Sequence, residues 1–371
     1  MTPHRSSITL FIVIASFLSS GTALSQSSSI QLEPLGQVSI PHNYQFKGTP
    51  VGGLSGLAYD PGSGTYYVIS DDRSNLAEAR FYSFRLELNM DGNLEKDGIR
   101  FENVHYIRTQ QGNAYPEGEV DPEAIVFTSD SLIYISSEGV PGKNIPPFIN
   151  AFTKTGSFVK EMKIPEAYRS ADNSRGVRNN LGFEGLTASP DETRLFAATE
   201  NALLQDGPAA DSDNESPSRI IIYDLPADSV MHEFVYMVDR VQYESAQKDL
   251  FAVNGITALL ALDSKGNLLV LERNYVAGEG NRIALYAAST EGATDIKGVA
   301  GLQQLDTPLK PVGKELVTYL NDFDIAIDNF EGLILGPRLE NGGRLLLMVS
   351  DNNFSKTQQT LFTAFSIYGL K

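Results

Sequence analysis

The sequence predicts an all-β protein, a β-propeller of four-stranded antiparallel blades, and a repeated unit is the main reason. Each unit has a short polar or acidic residue, an apolar run, a turn and a second apolar run ending in a carboxylate. The five copies begin at Leu54, Pro122, Phe183, Ile256 and Phe330. The second reason is that no apolar pattern with the 3.6-residue period of a helix persists, and only residues 312–320 form a candidate helix.

Each copy is predicted to be an antiparallel hairpin. Both apolar runs have strand length and are rich in Val, Ile, Leu, Tyr and Phe, and turn residues such as Asp60-Pro61-Gly62 connect them. A third strand is expected after each hairpin, at 80–88, 147–154, 219–225, 282–288 and 359–367, and a fourth at 99–107, 158–164 and 233–241. Four antiparallel strands that recur every 61 to 74 residues are typical of propeller blades.

The copies account for five blades in one domain over residues 26–371, and the interval from 288 to 330 leaves room for a sixth blade. The last copy lacks a fourth strand, and the alternating segment 35–40 belongs to no copy. We therefore expect 35–40 to complete the last blade, so that no sheet edge stays open. Residues 206–217 are acidic and contain Pro and Gly, which predicts a long mobile loop.

The N-terminus has the pattern of a signal peptide over residues 1–25. His4 and Arg5 precede an apolar run at 8–18, and Ala23-Leu24-Ser25 fits a small-x-small cleavage site. The mature chain is therefore expected to be exported, to the periplasm or to the outside. No later apolar run approaches the 18 residues of a membrane span, so no stable membrane insertion is expected after cleavage. An uncleaved N-terminal anchor is the alternative.

The composition excludes several function classes. A formal net charge of −17 disfavours nucleic acid and anionic membranes as partners. The absence of cysteine excludes disulfides, zinc thiolate sites and cysteine nucleophiles. None of the four histidines occupies an equivalent place in the repeat, and no G-x-S-x-G motif occurs, so a serine hydrolase is not predicted. We expect a monomer that acts on a small anionic substrate.

The repeat brings carboxylates together at one end of the channel. The start of a hairpin's first strand lies beside the end of its second. This places Ser55 near Asp71, Glu123 near Glu138, Glu184 near Glu200, Thr257 near Glu272, and Glu331 near Asp351. Carboxylates packed this closely require protons or cations, and clustered oxygen ligands suit Ca²⁺. With two more acids nearby, Asp72 and Asp121, the predicted metal ligands are Asp71, Asp72, Glu123, Glu138, Glu184, Glu200, Glu272, Glu331 and Asp351.

Two arginines directly follow strand-end acids of the first and fourth units. Arg73 and Arg273 stand where a guanidinium could hold a phosphate or carboxylate over the channel. The alternative for these arginines is a salt bridge between blades. The alternative for each acid is a hydrogen bond to a backbone N–H group or an ion pair with Arg73, Arg273, Arg80 or Arg178.

Several motifs resemble the phytase-like, "esterase-like activity of phytase" family of exported bacterial propellers. They are Gly53-Leu54-Ser55-Gly56-Leu57 with Ser70-Asp71-Asp72-Arg73, Asp121-Pro122-Glu123-Ala124-Ile125, Gly182-Phe183-Glu184-Gly185-Leu186, and Asn329-Phe330-Glu331-Gly332-Leu333 with Ser350-Asp351-Asn352-Asn353. The resemblance covers nearly the whole mature chain. More remotely, two segments are similar to the calcium-dependent alkaline β-propeller phytases, which bind several Ca²⁺ ions in an acidic channel mouth and hydrolyse phosphomonoesters. The chain lacks the dense basic run that a polyphosphorylated substrate would need.

The resemblance implies a Ca²⁺-dependent hydrolase that acts on phosphomonoesters by metal-assisted attack of water. In that scheme Glu184 and Glu123 hold metal or orient the water, and Arg73 and Arg273 stabilise the developing charge. Two alternatives stay open. A lactonase or sugar-processing propeller would also use a central Ca²⁺, with Asn201, Asn274 and Asn352 beside the acids. A non-catalytic extracytoplasmic binding or scaffold propeller would use the acids only as structural calcium ligands.

Overall fold

The computed structural model describes residues 30–170, 174–243 and 250–370. The signal peptide predicted at 1–25 lies outside these ranges. Within them, no helix has the length and apolar character needed to cross a bilayer.

The described residues form 22 β-strands and four short 3₁₀ helices. In chain order the strands are β1 (Gln31–Ile40), β2 (Gln45–Phe46), β3 (Thr49–Pro50), β4 (Leu54–Asp60), β5 (Thr65–Ser70), β6 (Arg80–Leu88), β7 (Leu94–Tyr106), β8 (Pro122–Phe127), β9 (Leu132–Ser137), β10 (Phe148–Thr153), β11 (Phe158–Glu161), β12 (Phe183–Ala188), β13 (Arg194–Thr199), β14 (Ser216–Asp224), β15 (Ser229–Val238), β16 (Ala252–Ala261), β17 (Asn267–Val276), β18 (Gly280–Ser289), β19 (Gly313–Tyr319), β20 (Asn329–Arg338), β21 (Arg344–Asp351) and β22 (Thr360–Tyr368). The 3₁₀ helices are Pro141–Lys143, Glu166–Tyr168, Leu302–Gln304 and Leu320–Asp322.

These strands build five four-stranded antiparallel sheets, which are the five blades of a propeller. Blades 1 to 4 are β4–β7, β8–β11, β12–β15 and β16–β19, and blade 5 is β20, β21, β22 and β1. The first strands contact one another in the circular order β4, β8, β12, β16, β20 and back to β4, so they line the channel. The predicted propeller is confirmed with five blades in the described residues. The interval from 288 to 330 supplies β19 to blade 4 and no sixth blade.

The first strand is the outer strand of the last blade. β1 runs antiparallel to β22, with Gln31 opposite Tyr368 and Ile40 opposite Thr360. The segment 35–40, which the sequence assigns to this place, lies within β1. The two ends of the described chain therefore share one sheet, and the β22 edge is covered by main-chain hydrogen bonds.

The helix predicted at 312–320 is wrong, because this segment forms the edge strand β19. It pairs with β18 from Gly313 opposite Ser289 to Tyr319 opposite Ala284. Val317, Thr318 and Tyr319 are β-branched or aromatic and fit a pleated, half-buried surface. A nine-residue helix without tertiary support is marginal, so pairing with β18 prevails.

Apolar side chains pack between neighbouring blades. The described residues contain five buried clusters, and each fills one of the five interfaces between adjacent sheets. Phe183 and Ile149 belong to the cluster between blades 2 and 3, for example, and are fully buried. This packing fixes the blades relative to one another and therefore positions the residues at the channel mouth.

The loop predicted at 206–217 lies between β13 and β14, and its first residue is anchored. Asp206 is buried and its Oδ2 accepts a hydrogen bond from Arg219 Nε at 2.7 Å. Ser216, near the other end, is also buried and already belongs to β14. The expectation of a mobile loop is therefore wrong for these two ends, where buried polar contacts hold the chain.

Candidate functional site

A β-bulge interrupts the inner hairpin of every blade at the repeat position. In blade 3, Phe183 lies opposite Thr199 but Gly185 lies opposite Ala198, so Glu184 is the extra residue. The same irregularity occurs at Ser55, Thr257 and Glu331, and between Pro122 and Ile125 in blade 2. A bulge bends the strand and re-aims its side chain, which explains why repeat-position acids reach the channel mouth.

The channel mouth is a cavity of about 1070 Å³. Seven of the predicted metal ligands line its wall together with both predicted arginines: Asp71, Asp72, Glu123, Glu184, Glu200, Glu331, Asp351, Arg73 and Arg273. Asp121 and Glu138 are buried directly behind this wall, at 1% exposure each. The sequence analysis placed Asp121 near the predicted ligands but did not include it among them. Its position directly before the second repeat unit could have indicated that it belongs to the acidic group.

Two groups of three carboxylates are close enough to share a cation. Their ligand oxygens all lie within 4.8 Å of one another in Asp121, Glu123 and Glu138, and again in Glu138, Glu184 and Glu200. Glu138 belongs to both groups, which come from blades 2 and 3. A glycine makes room for it, because a Cβ at Gly182 would lie 2.9 Å from the Cα of Glu138. The N–H group of Gly182 donates to Glu138 Oε1 at 2.5 Å.

Burial raises the pKa of all eight carboxyl groups at the channel mouth, and repulsion from neighbouring carboxylates adds to the effect in six of them: Asp71, Glu123, Glu138, Glu184, Glu331 and Asp351. The pKa values of Asp71, Glu123, Glu138 and Glu184 lie well above their usual range. Burial raises the pKa of Glu200 and of Glu331 to about 7, and that of Asp351 to about 8. The cluster therefore retains protons near neutral pH unless cations replace them.

Both arginines form salt bridges between blades, as the alternative interpretation expected. Arg273 contacts Glu331 Oε1 at 2.5 Å and Glu200 Oε1 at 3.4 Å. Arg73 Nε contacts Asp121 Oδ1 at 2.6 Å. Their side chains nevertheless line the cavity, with 32% exposure for Arg73 and 14% for Arg273.

The channel mouth holds many more carboxyl groups than guanidinium groups. The two guanidinium groups face eight carboxyl groups: Asp71, Asp121, Glu123, Glu138, Glu184, Glu200, Glu331 and Asp351. Within the described part of the chain, the Glu184 side chain has no hydrogen bond or ion pair. The nearby carboxyl groups of Glu138, Glu200 and Glu331 raise its pKa further. Glu184 is thus one of the acids that the protein itself leaves in need of a cation.

Asp72, a predicted ligand, is engaged elsewhere. Its carboxylate accepts hydrogen bonds from the N–H groups of Asn75, Leu76 and Ala77. Arg80 Nη1 contacts its Oδ2 at 2.6 Å, and both side chains are fully buried. This set of donors holds the turn after β5 and satisfies the carboxylate without a metal.

Glu272, also a predicted ligand, does not join the cluster, because the sequence register was wrong by one residue in blade 4. Ile256, which precedes the bulge, lies opposite Glu272, whereas its counterparts Phe183 and Phe330 lie opposite Thr199 and Ser350. A slip of one residue places a side chain on the other face of a strand. Glu272 therefore accepts hydrogen bonds from Tyr236 and Lys314, at 2.7 and 2.6 Å, away from the cavity. The residue that occupies the strand-end position of blade 4 is Arg273.

Comparisons with known proteins match most of the chain to one family model. A family model described as Phytase-like: Esterase-like activity of phytase matches residues 49–354. An "Uncharacterized secreted protein" of Arthroderma benhamiae is 24% identical over 204 residues, which are 48% of this chain and 38% of that protein. The chain thus matches well under half of the length of this relative.

Solved structures are similar at low identity. A periplasmic gluconolactonase of Pseudomonas aeruginosa is 12% identical with a TM-score of 0.36, and the match covers 88% of this chain and 91% of that one. An endo-arabinase of Bacteroides thetaiotaomicron is 11% identical with a TM-score of 0.46, over 85% of this chain and 93% of that one.

Proposed function

The chain belongs to the phytase-like family, and from this membership and the acidic channel mouth we propose that it is an exported, Ca²⁺-dependent hydrolase of phosphomonoesters. Export is supported by the signal-peptide pattern at 1–25 and by the secreted description of the Arthroderma benhamiae relative. The observation that carries the proposed chemistry is the pair of carboxylate groups that share Glu138.

The residues of this pair fit a calcium ion. Ca²⁺ takes six to eight oxygen ligands and tolerates irregular geometry, and carboxylates are its preferred charged ligands. The two groups offer five carboxyl side chains, from Asp121, Glu123, Glu138, Glu184 and Glu200. The part of the cavity wall that the structure describes contains no histidine, and the chain has no cysteine, so a softer metal lacks its usual ligands.

The roles of the side chains follow from their contacts. A bound Ca²⁺ would neutralise the phosphate oxygens of an ester and make water a better nucleophile. Glu123 and Glu184 would hold the cation and orient the attacking water, since Glu184 has no other partner. Arg73, the more exposed of the two arginines, lies beside the first carboxylate group and would bind a phosphate oxygen. Arg273 would stabilise negative charge that develops on the ester.

Hydrolysis of 4-nitrophenyl phosphate by the mature protein, with millimolar Ca²⁺ or with EDTA, tests this proposal. We expect Ca²⁺-dependent activity that falls at least about a hundredfold in Glu184→Gln. The matched control is Glu102→Gln, which removes an exposed acid paired with Arg85 outside the cavity and should keep activity. Activity that EDTA leaves unchanged would overturn the metal requirement. Activity only on lactones would favour the lactonase alternative, and inactivity on phosphomonoesters, lactones and carboxyl esters would favour a scaffold.

A further inference from the structure

The channel mouth has two chemically different halves. Blades 2 and 3 supply the shared carboxylate groups. Blades 4, 5 and 1, with the loops beside them, supply apolar side chains to the same cavity: Leu76, Phe251, Val253, Tyr275, Ile327 and Phe354. This apolar set, called the apolar rim below, was not predicted from the sequence.

The repeat itself explains why blades 4 and 1 supply fewer carboxylates to the cavity than blades 2 and 3. The bulge position holds Glu in blades 2, 3 and 5, but Thr257 in blade 4 and Ser55 in blade 1. Thr257 is buried and its hydroxyl donates to the carbonyl of Phe330 at 3.0 Å, so it contributes no charge. The strand-end position of blade 4 holds Arg273, which neutralises Glu331 of blade 5. Blade 4 thus supplies no carboxylate to the cavity and blade 1 supplies Asp71, whereas Glu331 of blade 5 is paired, so the rim lies where carboxylates are fewer than in blades 2 and 3.

The apolar rim exposes large side chains to solvent. Phe251 is 71% exposed and Leu76 is 58% exposed, although both line the cavity. The ring of Tyr275 packs beside that of Phe251, with centroids 6.3 Å apart and an angle of 54° between the planes. Exposed apolar groups gathered at the edge of a polar cavity are a common sign of ligand binding.

Phe354 is held in the rim by an unusual backbone. Asn353 and Phe354 have positive φ angles of 45° and 50°, and the N–H group of Phe354 donates to Asn352 Oδ1 at 3.0 Å. The ring lies on the backbone of Gly52 and Gly53, where a Cβ would come within 2.9 and 2.7 Å of it. Two consecutive non-glycine residues in this conformation are costly, and such strain is concentrated at functional sites.

We propose that the apolar rim binds the alcohol portion of the ester, which makes monoesters of aromatic or other apolar alcohols the preferred substrates. The inference rests on the proposed function for the anionic end of the substrate. Its second consequence concerns polyphosphorylated polyols. The described cavity wall has two cationic side chains, Arg73 and Arg273, and both are already paired with acids. Each additional phosphate would therefore face carboxylates or apolar groups without a cationic partner, so such polyanions are poor substrates.

Isothermal titration calorimetry with two phosphonates tests the rim without requiring catalysis. Phenylphosphonate and methylphosphonate carry the same anionic group and differ only in the apolar part. With Ca²⁺ present, we expect phenylphosphonate to bind the mature protein about tenfold more tightly. Phe251→Ala should reduce this ratio to about two- or threefold. Met90→Ala removes a fully exposed apolar side chain outside the cavity and should keep the wild-type ratio.

The outcomes separate this inference from the proposed function. Equal binding of the two phosphonates, or a ratio unchanged in Phe251→Ala, overturns the role of the rim whether or not phosphomonoesters are hydrolysed. A tenfold preference that depends on Phe251, in a protein that fails to hydrolyse phenyl phosphate, supports the rim and overturns the hydrolase proposal. Failure of both phosphonates to bind overturns both.

Discussion

Chelation of Ca²⁺ should destabilise the protein by a measurable amount. A ligand that binds only the folded state adds about 2.7 kcal/mol to the free energy of unfolding when its concentration is a hundred times Kd. At roughly 2.1 cal/mol/K per residue and about 340 residues, the entropy of unfolding is about 0.7 kcal/mol/K, so Tm should fall by about 4 °C. Differential scanning calorimetry at pH 8, in EDTA and in millimolar Ca²⁺, measures this shift.

Two variants assign the shift to the channel mouth. Glu184→Gln removes a carboxylate of the shared groups and should reduce the Ca²⁺-induced shift in Tm to less than half. Glu272→Gln is the control, because Glu272 is buried beside Lys314 and outside the cavity. It should lower Tm both with and without Ca²⁺ but keep the shift. A Tm that neither EDTA nor Ca²⁺ changes would refute the argument, and so would an equal loss of the shift in both variants.

Three further expectations concern pH, backbone and charge. Burial raises the pKa of Glu200 to about 7 and of Asp351 to about 8, so the metal-free folded state binds more protons than the unfolded state. The free energy of unfolding in EDTA should therefore fall as pH rises from about 5 to 8. A free energy from urea unfolding that stays constant or rises over this range would contradict the expectation. Gly53→Ala, at a φ of 60°, places a Cβ against the Asp71 carboxylate, whereas Gly48→Ala, at a φ of 82°, places it where no atom lies within 4 Å. The first substitution should therefore lower the free energy of urea unfolding by more than the second. Equal losses would show that only the backbone conformation, and not the contact with the carboxylate, sets the effect. Arg273→Gln should destabilise the metal-free protein by about 3 to 5 kcal/mol, because it leaves the buried acids Glu200 and Glu331 unpaired. It should also increase the Ca²⁺-induced shift in Tm. An unchanged shift would mean that Ca²⁺ and this guanidinium group interact with different carboxylates.

The sequence predicts the parts of this structure that depend on local patterns. Alternating apolar residues and turn residues define the hairpins, and their recurrence defines five blades. It fails where one residue changes the outcome. A bulge adds a residue to one strand of each hairpin without a distinct sequence signal, and in blade 4 this led to the choice of Glu272 in place of Arg273. The apolar rim was missed for another reason: Leu76 and Phe251 lie in loops outside the repeat, and only the fold brings them to one cavity.

Contacts between blades at the channel mouth show why a cation fits between blades 2 and 3 in particular. Arg73 joins blade 1 to blade 2, and Arg273 joins blade 4 to both blade 3 and blade 5. Between blades 5 and 1, the side chain of Asn352 accepts a hydrogen bond from the N–H group of Gly53 at 3.1 Å. At the remaining interface no described ion pair joins blade 2 to blade 3 at the channel mouth. The Gly182 N–H group donates to Glu138, and Arg73, which is paired with Asp121, donates to Asn180 in the loop before β12. A cation bound there would supply the positive charge that arginine supplies at the neighbouring interfaces, so the same ion that serves the proposed chemistry would also join two blades.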